Sequence, residues 1–303
     1  MVNYKHNKAT QSYIEHVKKY YSDHSSVYHS CYDGEGDYPA NAYRLEIARK
    51  ICREMNPRPK SILDAGCGDA RVLAELATEG FDCQGFDNNE LMLELGSKIL
   101  DKYSLSKDLI YKGDIYNIDS KDKHFDAIIC LGVLSNLPYH KKIFDEFKRV
   151  LKPEGSIIVS FTNHLFDLFT LNQYTVDFYE NLMKSADVPP AFIKEKLAKL
   201  DSMYDIENTP TPFKAMFDSD IDKKSIEIET YHQLNIDGKM REMGLSVQKI
   251  RHYHYHPFPP RFEHEDPELF VSLAQKLETT EYDWKGAILC SAMVVELKLD
   301  SSL

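Results

Sequence analysis

The residues of this chain with the clearest chemical signature form a glycine-rich turn preceded by an acidic residue. Asp64 is followed by Gly66 and Gly68 in the string LDAGCGDA, which occupies residues 63–70. A strand that runs through two glycines into a helix lets the backbone approach a ligand closely, with helix N–H groups facing that ligand. A dinucleotide-binding turn would carry a third glycine where this chain has Arg71. A carboxylate before the turn would also repel a pyrophosphate, so the turn indicates a ligand that carries positive charge.

A second acidic residue follows at the spacing expected of a ribose-binding carboxylate. Asp87 lies close to the roughly 20 residues beyond a glycine turn at which such a carboxylate ends the next strand, and its two oxygens suit a vicinal diol. The structural alternative is that the run Asp87, Asn88 and Asn89 only caps the following helix, because short polar side chains accept hydrogen bonds from its first N–H groups. Asn89 is the expected cap under both interpretations.

These residues lie in a segment that alternates between short apolar strands and amphipathic helices. We predict strands at 61–65, 81–86, 109–112, 125–131 and 156–161, and helices at 69–79, 89–102 and 138–151. Further along the chain, the pattern predicts helices at 234–243 and 267–278 and strands at 245–255 and 287–298. Strands that alternate with helices in this way indicate an α/β fold with a doubly wound, mostly parallel sheet, here of seven strands.

Two segments depart from the alternation and suggest the domain organisation. Residues 1–55 are predicted to form an N-terminal helical cap, and residues 162–230 a helical lid or substrate-binding insertion after strand five. Residues 56–161 and 231–303 would then form the core. An insertion after the carboxyl end of a strand lies where doubly wound folds bind ligands, so we expect this one to contact the substrate.

Composition and charge exclude several classes of protein. The net charge is −11 and no dense run of Lys and Arg is present, which excludes DNA and argues against RNA, because phosphate binding requires a basic surface. No apolar stretch reaches the roughly 18–20 residues that span a bilayer, and the polar N-terminus lacks the apolar region of a signal peptide. The six cysteines show no zinc-ligand spacing. We therefore expect a cytoplasmic protein with reduced thiols and no membrane partner.

The string at 63–70 and several later segments resemble the class I S-adenosylmethionine-dependent methyltransferases. The cofactor turn of that family is usually written D-x-G-x-G-x-G, and its last glycine is replaced by Ala70 here. The segments GFDNN, GDI and FDAIICL resemble the family's second strand end, third strand end and fourth strand, and LKPEG followed by SIIVSF resembles its fifth strand. The resemblance covers residues 55–161 and 234–298 in the correct order.

This resemblance implies S-adenosylmethionine as the cofactor and S-adenosylhomocysteine as the product. Asp87 would hold both ribose hydroxyls and Asp114 would receive the adenine amino group, an ordinary loop aspartate being the alternative at Asp114. The implied cofactor-binding residues are Asp64, Ala65, Gly66, Cys67, Gly68, Asp87, Asn88, Asp114, Ile115 and Leu131. Aromatic helices before the core often close over the cofactor in this family, and Tyr20, Tyr21 and Tyr28 are the candidates for that contact.

The acceptor side of the site is predicted from the need for a proton acceptor. Methyl transfer is an in-line displacement that requires alignment, and an oxygen acceptor usually also needs a base, most often His. The catalytic candidates are His164, directly after strand five, and His254 and His256, which share one strand face with His252. A hydrogen-bonded or solvent-facing histidine cluster and a metal site are the alternatives; we predict no metal, because comparable metal sites use carboxylates. The substrate-binding candidates are Ser135, Asn136, Asn163, Tyr174 and Arg261.

We therefore expect a methyltransferase that acts on an oxygen or nitrogen of a small biosynthetic metabolite, with a sugar-containing or anionic acceptor preferred. The grounds are the large insertion, the His and Tyr residues near the expected site and the absence of a basic run. Two alternatives remain open. In the first, the acceptor group is on a protein or RNA, and an open or basic groove would favour this alternative. In the second, the chain is a cofactor-binding scaffold without turnover. The sequence sets neither the acceptor nor the oligomeric state.

Overall fold

The computed structural model describes residues 8–23, 38–208, 229–278 and 284–300. Within them, seven strands form one sheet. In chain order these strands, β1 to β7, span Ser61–Ala65, Asp82–Asp87, Ile110–Lys112, Phe125–Cys130, Leu151–Thr162, Leu245–Tyr255 and Cys290–Leu299. Their spatial order in the sheet is β3-β2-β1-β4-β5-β7-β6. The predicted seven-stranded α/β sheet is confirmed.

The α-helices of the described residues are numbered α1 to α10 in chain order. They span Lys8–Asp23, Ala40–Glu54, Arg71–Thr78, Glu90–Lys102, His140–Val150, Gln173–Ser185, Pro190–Tyr204, Ile236–Glu242, Pro267–Leu277 and Gly286–Leu289. The helices predicted within the core agree with these bounds to within two residues or so at most ends. In this part of the chain no helix combines the length and the apolar character that crossing a membrane requires.

The chain reverses its direction of winding between β1 and β4. β1 pairs in parallel with β2 on one side and with β4 on the other, and β2–β3 and β4–β5 are also parallel pairs. In sheets of this kind the crevice outside the carboxyl ends of the two central strands is the usual place for a ligand. The glycine-rich turn leaves β1 at this point.

Local sequence signals explain several element boundaries near this crevice. Gly80 has φ +86° and follows the end of α3, as expected of a glycine that ends a helix in the left-handed region. The side chain of Asn89 accepts hydrogen bonds from the backbone N–H groups of Leu91 and Met92 and thereby caps α4. Asn89 is therefore the cap that the sequence predicts.

Strand β5 begins at Leu151, five residues before the predicted start. Leu151 pairs with Phe125 of β4, whereas the next paired residue, Ser156, lies opposite Ala127. Residues 152–155 therefore bulge from the ladder between two paired positions. The bulge is formed by the Lys-Pro-Glu-Gly segment that precedes the predicted strand, and the strand itself extends to both sides of it.

The described residues divide into two compact units. The first contains the described parts of 1–161, 221–251 and 293–303, and the second contains those of 162–220 and 252–292. Residues 252–292, which the sequence pattern assigns to the core, belong to the second unit, because they contact the segment that follows β5. Tyr28, Cys31 and the proline-containing loop at 209–212 lie outside the described residues. The function of residues 162–230 as a lid stays a prediction.

Candidate functional site

An open cleft with about 770 Å³ of empty space lies at the carboxyl ends of β1, β2 and β4 in the first unit. The residues that line it come from helix α1, from the end of β2, from the turns that follow β1, β2 and β3, from the first turn of α4 and from the loop that follows β4. They are Ile14, Val17, Lys18, Tyr21, Gly66, Gly68, Phe86, Asp87, Asn88, Asn89, Met92, Gly113, Ile115, Leu131, Gly132, Val133, Asn136 and Leu137. The cleft therefore lies where the sequence predicts cofactor binding.

The turn after β1 depends on backbone conformations that favour glycine. Gly66 has φ +80° and Gly68 has φ +52°. A Cβ atom on Gly66 would lie 2.6 Å from Cγ2 of Val133, so a larger residue there would meet the opposite wall of the cleft. Ala70 also lies in the left-handed region, with φ +57°, which explains physically why the family pattern carries glycine at this position.

Asp87 connects the end of β2 with the turn after β1. Its Oδ2 accepts a hydrogen bond from the backbone N–H of Gly68 at 3.0 Å, and its Oδ1 accepts one from the N–H of Asn89 at 2.8 Å. Burial raises the pKa of Asp87, and these backbone hydrogen bonds oppose the shift. A carboxylate has about four acceptor positions, so Asp87 can still accept a hydrogen bond from a ligand in the cleft.

Asp64 is a buried carboxyl group with an unsatisfied atom. It is 3% exposed, and its Oδ2 has no hydrogen-bond partner. Burial, together with the negative charges of Asp87 and Asp69, raises the pKa of Asp64 to about 7, whereas the charge of Arg44 acts in the opposite direction. A buried acceptor without a partner costs free energy. A bound group that donates a hydrogen bond or carries positive charge would remove that cost.

Asp114 is exposed and lies beside the cleft, which its neighbours Gly113 and Ile115 line. Its Oδ1 accepts a hydrogen bond from the N–H of Tyr116 at 2.9 Å, an arrangement typical of a loop aspartate that stabilises its own turn. A Cβ atom on Gly113 would lie 2.8 Å from the ring of Phe86. The predicted role of Asp114 toward adenine stays a prediction.

Helix α1 forms one wall of the cleft, and two asparagines hold it there. Nδ2 of Asn89 donates hydrogen bonds to the carbonyl oxygen of Lys18 at 3.2 Å and to Oγ of Ser22 at 3.0 Å. Nδ2 of Asn136 donates to the hydroxyl of Tyr21 at 3.0 Å. Of Tyr20 and Tyr21, the two tyrosine candidates within the described residues, Tyr21 lines the cleft.

Two cations near the site were not predicted from the sequence. Lys18 lines the cleft, and its charge opposes the rise in the pKa of Asp87 that burial causes. Arg44, on α2, is only 8% exposed, and a Cβ atom on Gly132 would lie 2.5 Å from its Nη1. Both residues precede the core in sequence, and no motif marks them.

The predicted catalytic histidines lie in or at the start of the second unit, and each has a hydrogen-bond partner there. Nδ1 of His164 lies 2.9 Å from a carboxylate oxygen of Asp167, and Nδ1 of His254 lies 2.7 Å from Oγ of Ser291. Nδ1 of His256 contacts Oε1 of Glu263. The rings of His254 and His256 are 4.5 Å apart. Their role in catalysis stays a prediction.

Burial lowers the pKa of the three histidines of strand β6 and the residue after it, His252, His254 and His256. It lowers the pKa of His252 to about 4 and that of His256 to about 3, and it lowers the pKa of His254 as well. All three are therefore neutral near pH 7, but the lowered pKa also makes them weaker bases, because a general base works best with a pKa near the operating pH. His254 has φ +62°, which is a strained backbone conformation for a residue with a side chain.

The predicted substrate-binding residues are distributed between the two units. Ser135 and Asn136 belong to the loop after β4 in the first unit, and Asn136 lines the cleft. In the second unit, Nδ2 of Asn163 donates to the carbonyl oxygens of Ala287 and Cys290 at 2.8 and 2.9 Å, so both amide hydrogens are used by the backbone.

The other two candidates, Arg261 and Tyr174, also lie in the second unit. Nη1 of Arg261 donates to the carbonyl oxygen of Tyr204, and burial raises the pKa of Tyr174, on α6. Their contact with a substrate stays a prediction.

Comparisons with known proteins agree with this geometry. Residues 63–159 match a family described as a methyltransferase domain. A sterol 24-C-methyltransferase of Candida albicans is 31% identical over 125 residues, which are 39% of this chain and 33% of that protein. YqeM of Bacillus subtilis is 27% identical over 204 residues, or 64% of this chain and 76% of that protein. The chain thus spans about a third of the length of the first of these relatives.

A solved structure shows the same fold over most of the chain. A chain of the complex that contains the Haloferax volcanii Trm112 methyltransferase activator aligns with a TM-score of 0.53 at 12% identity, covering 94% of this chain and 97% of that chain. Residues 63–159 thus carry a methyltransferase domain, in agreement with the resemblance of the sequence to the class I S-adenosylmethionine-dependent methyltransferases. S-adenosylmethionine is the cofactor of that class.

Proposed function

We propose that this chain transfers a methyl group from S-adenosylmethionine to an oxygen or nitrogen of a small biosynthetic metabolite. The observation that carries the proposal is the arrangement of Asp87 and Asp64 around the glycine turn. Asp87 is held by the N–H groups of Gly68 and Asn89 with acceptor capacity to spare, and Asp64 presents a buried oxygen without a partner. Both carboxyl groups would be stabilised by a ligand that donates hydrogen bonds or carries positive charge.

The residues of the cleft fit S-adenosylmethionine. The vicinal hydroxyls of a ribose would donate to Asp87, and the positively charged end of the cofactor would favour the ionised form of Asp64. Positions 66 and 68 lack side chains, which lets the backbone approach the ligand. The buried guanidinium of Arg44 and the ammonium group of Lys18 are the cations suited to the carboxylate of its amino-acid end.

The remaining predicted contacts complete this arrangement. Ala65, Cys67, Asn88, Ile115 and Leu131 would contact the cofactor through their backbone or apolar atoms, and Asp114 would lie beside the adenine.

The bound cofactor supplies an electrophilic methyl group, and the chain's own residues would align the acceptor and exclude water. Displacement at a methyl group depends on alignment more than on covalent help from the protein. Asn136 is already placed in the cleft wall, and we propose that Ser135 and Asn136 orient the acceptor. Removal of a proton from an oxygen acceptor is assigned to one of His164, His254 and His256.

The acceptor is proposed to be a small hydroxylated metabolite. The net charge of −11 disfavours a nucleic-acid acceptor. The sterol methyltransferases match only a third of their length, so their substrate is not carried over to this chain. Methylation of a protein or RNA group and cofactor binding without turnover remain the alternatives.

Titration calorimetry with S-adenosylhomocysteine tests the cofactor assignment. Wild-type protein is expected to bind with a micromolar dissociation constant. Asp87→Asn is expected to weaken binding at least about ten-fold, because a hydrogen bond to a charged group contributes about 1.5–3 kcal/mol. Asp119→Asn, which changes an exposed aspartate outside the residues that line the cleft, is the matched control and should bind like the wild type. NAD serves as the ligand control, and binding of NAD without binding of S-adenosylhomocysteine would overturn the proposal.

Turnover separates the remaining alternatives. Incubation with radiolabelled S-adenosylmethionine and fractionated metabolites, bulk protein or bulk RNA reports which pool accepts label. Label in metabolites supports the proposal, label in protein or RNA replaces its acceptor, and cofactor binding without label in any pool indicates a scaffold. A general-base role predicts that His164→Ala, His254→Ala or His256→Ala lowers turnover far more than cofactor affinity. Turnover equal to that of the wild type in all three variants would exclude that role.

A further inference from the structure

Asn89 connects three elements in the wall of the cleft. Its backbone N–H donates to Oδ1 of Asp87, at the end of β2, at 2.8 Å. Its side-chain Oδ1 accepts from the N–H groups of Leu91 and Met92 in the first turn of α4, and its carbonyl oxygen accepts from the N–H of Leu93 at 3.1 Å. These contacts fix Asn89 between β2 and α4.

The remaining polar atom of Asn89, Nδ2, reaches helix α1. It donates to the carbonyl oxygen of Lys18 at 3.2 Å and to Oγ of Ser22 at 3.0 Å, across 71 and 67 positions of the chain. The hydroxyl of Ser22 in turn donates to the same carbonyl at 3.1 Å. Asn89 is 3% exposed, and each of its polar atoms has a partner. It can therefore act on the polar groups of a ligand only through the residues that it holds.

The cap determines where the amide of Asn89 points. Because Oδ1 faces the first N–H groups of α4, Nδ2 is directed away from them, toward α1. Asparagine supplies an acceptor and a donor on one short side chain. Serine and aspartate cap helices about as well, but serine has one oxygen, which the cap uses, and aspartate would place a second acceptor opposite the carbonyl of Lys18. The cap therefore needs no asparagine, whereas the attachment of α1 does.

Helix α1 and Asp87 contribute different parts of the cleft. Four residues of α1 line it, at positions 14, 17, 18 and 21, and Asp87 lines it from the end of β2. Lys18 is near enough for its positive charge to favour the ionised form of Asp87 by lowering its pKa. A ligand in the cleft would thus lie between a helix and a carboxylate that are both held by Asn89.

We infer that Asn89 is a positioning residue that couples the ligand-binding carboxylate of Asp87 to the placement of α1 across the cleft. Its backbone holds the carboxylate and its amide holds the helix, so a ligand that contacts both stabilises one common arrangement. The ligand step of this inference rests on the proposed function, whereas the attachment of α1 rests on the hydrogen bonds of Asn89 alone.

Hydrogen exchange measured by mass spectrometry on the protein without ligand tests the attachment. Asn89→Ser keeps a capping oxygen and removes the amide. Peptides from 8–23 are therefore expected to exchange about five-fold faster, because a hydrogen bond that opposes local opening is lost. Ser22→Ala removes one partner on α1 without touching the cap and should change exchange in the same direction. Unchanged exchange of these peptides in both variants would overturn the inference.

Asn172→Ser is the matched control for this experiment. The side chain of Asn172 caps α6 by accepting from the N–H of Tyr174, and its Nδ2 has no hydrogen-bond partner within the part of the chain that the structure describes. The variant therefore removes the amide of another capping asparagine, and exchange in α1 should follow the wild type. Equal acceleration of α1 in Asn172→Ser and Asn89→Ser would contradict the inference, because a general loss of stability would then explain both.

Exchange at saturating S-adenosylhomocysteine tests the coupling itself. In the wild type the ligand is expected to slow exchange of the peptides from 8–23 at least about five-fold, and in Asn89→Ser less than about two-fold, although both proteins are saturated. A merely structural role of Asn89 would leave this protection unchanged. Equal protection in the two proteins would therefore contradict the coupling.

Affinities of single and double variants separate this role from a direct contact with the ligand. Asn89→Ser is expected to weaken binding of S-adenosylhomocysteine about three- to ten-fold, and adding Ser22→Ala should weaken it no further, because the bond to Ser22 is already lost. Additive losses would contradict an effect through α1. If the wild type does not bind the ligand, the proposed function fails, and exchange in the free protein still decides whether Asn89 holds α1.

Discussion

The side-chain amide of Asn136 donates a hydrogen bond to the hydroxyl of Tyr21 at 3.0 Å, although the two residues are 115 positions apart in the chain. This bond joins helix α1 to the loop after β4. On the other side of the cleft, Asn89 caps α4 with its Oδ1 and donates from its Nδ2 to the carbonyl of Lys18. Two amide groups on opposite sides of the cleft therefore hold one helix across it.

Replacement of Tyr21 by Phe is expected to weaken the binding of S-adenosylhomocysteine three- to ten-fold. The ring stays, but the contact with Asn136 is lost, and a hydrogen bond of this kind contributes about 0.5–1.5 kcal/mol. Calorimetric titration measures the change. Tyr20, whose ring packs edge-on against that of Tyr21 at 5.6 Å, provides the control, because Tyr20→Phe removes a hydroxyl from the same helix. Equal affinities of the two variants would show that the bond to Asn136 does not matter for binding.

The elements around the cleft are largely predictable from sequence because their causes are local. The cap at Asn89, the helix end at Gly80 and the turn at Gly66 each depend on residues within a few positions of one another. The bulge between Leu151 and Ser156 shows where local reasoning stops. The proline and glycine there place the start of the predicted strand at residue 156, but the pairing of Leu151 with Phe125 of β4 shows that the strand begins before them.

Residues that reach the site from distant segments are not predictable in this way. Lys18 and Arg44 enter the site from helices that precede the core, and their positions follow from how those helices pack. His140 and Tyr231 are 91 positions apart, and each is an ordinary aromatic residue in an amphipathic pattern. The hydrogen bond between their side chains results from tertiary structure alone.

Two glycine-to-alanine substitutions separate backbone strain from loss of space in the turn. Gly66 and Gly80 both have positive φ, +80° and +86°, so alanine at either position is expected to cost about 1–2 kcal/mol of unfolding free energy. A Cβ atom at Gly66 would also lie 2.6 Å from Val133, whereas at Gly80 it meets nothing within 4 Å. Gly66→Ala is therefore expected to be the less stable variant in urea and to lose S-adenosylhomocysteine binding.

The Gly80→Ala variant should keep the affinity of the wild type, because its site lies at the other end of α3. If both variants lose the same stability and both still bind, the close contact between Gly66 and Val133 is not a constraint on the turn.

Binding of S-adenosylmethionine is expected to release a proton from Asp64 near pH 6. Burial and the neighbouring carboxylates raise the pKa of this group to about 7 in the free protein, so it is mostly protonated at pH 6. A positively charged ligand favours the ionised form and lowers the pKa. Calorimetry in two buffers with different ionisation enthalpies measures the release, which should approach one proton. Asp64→Asn should abolish it and Asp119→Asn should not; equal heats in both buffers for the wild type would contradict the assignment.

Glu278 is expected to make the stability of the protein decrease between pH 4.5 and pH 7. Its Oε1 accepts hydrogen bonds from the N–H groups of His254 and Tyr255 at 2.7 and 3.0 Å. Burial nevertheless raises the pKa of Glu278 from 4.5 to about 7. Because the folded state then binds the proton more tightly than the unfolded state, this contribution is complete below pH 4.5 and is lost as pH rises through 7.

Glu278→Gln keeps the accepting oxygen and removes the titration, so the variant should lose less stability than the wild type over this pH range. The difference is expected to reach about 3 kcal/mol at most, since one pKa unit corresponds to about 1.4 kcal/mol. Urea unfolding at pH 4.5, 5.5, 6.5 and 7.5 measures it, with the exposed Glu265 changed to Gln as the control. The two variants differ in only one respect that matters here, the burial of the carboxyl group. Parallel pH profiles for both would therefore mean that burial does not hold the proton on Glu278.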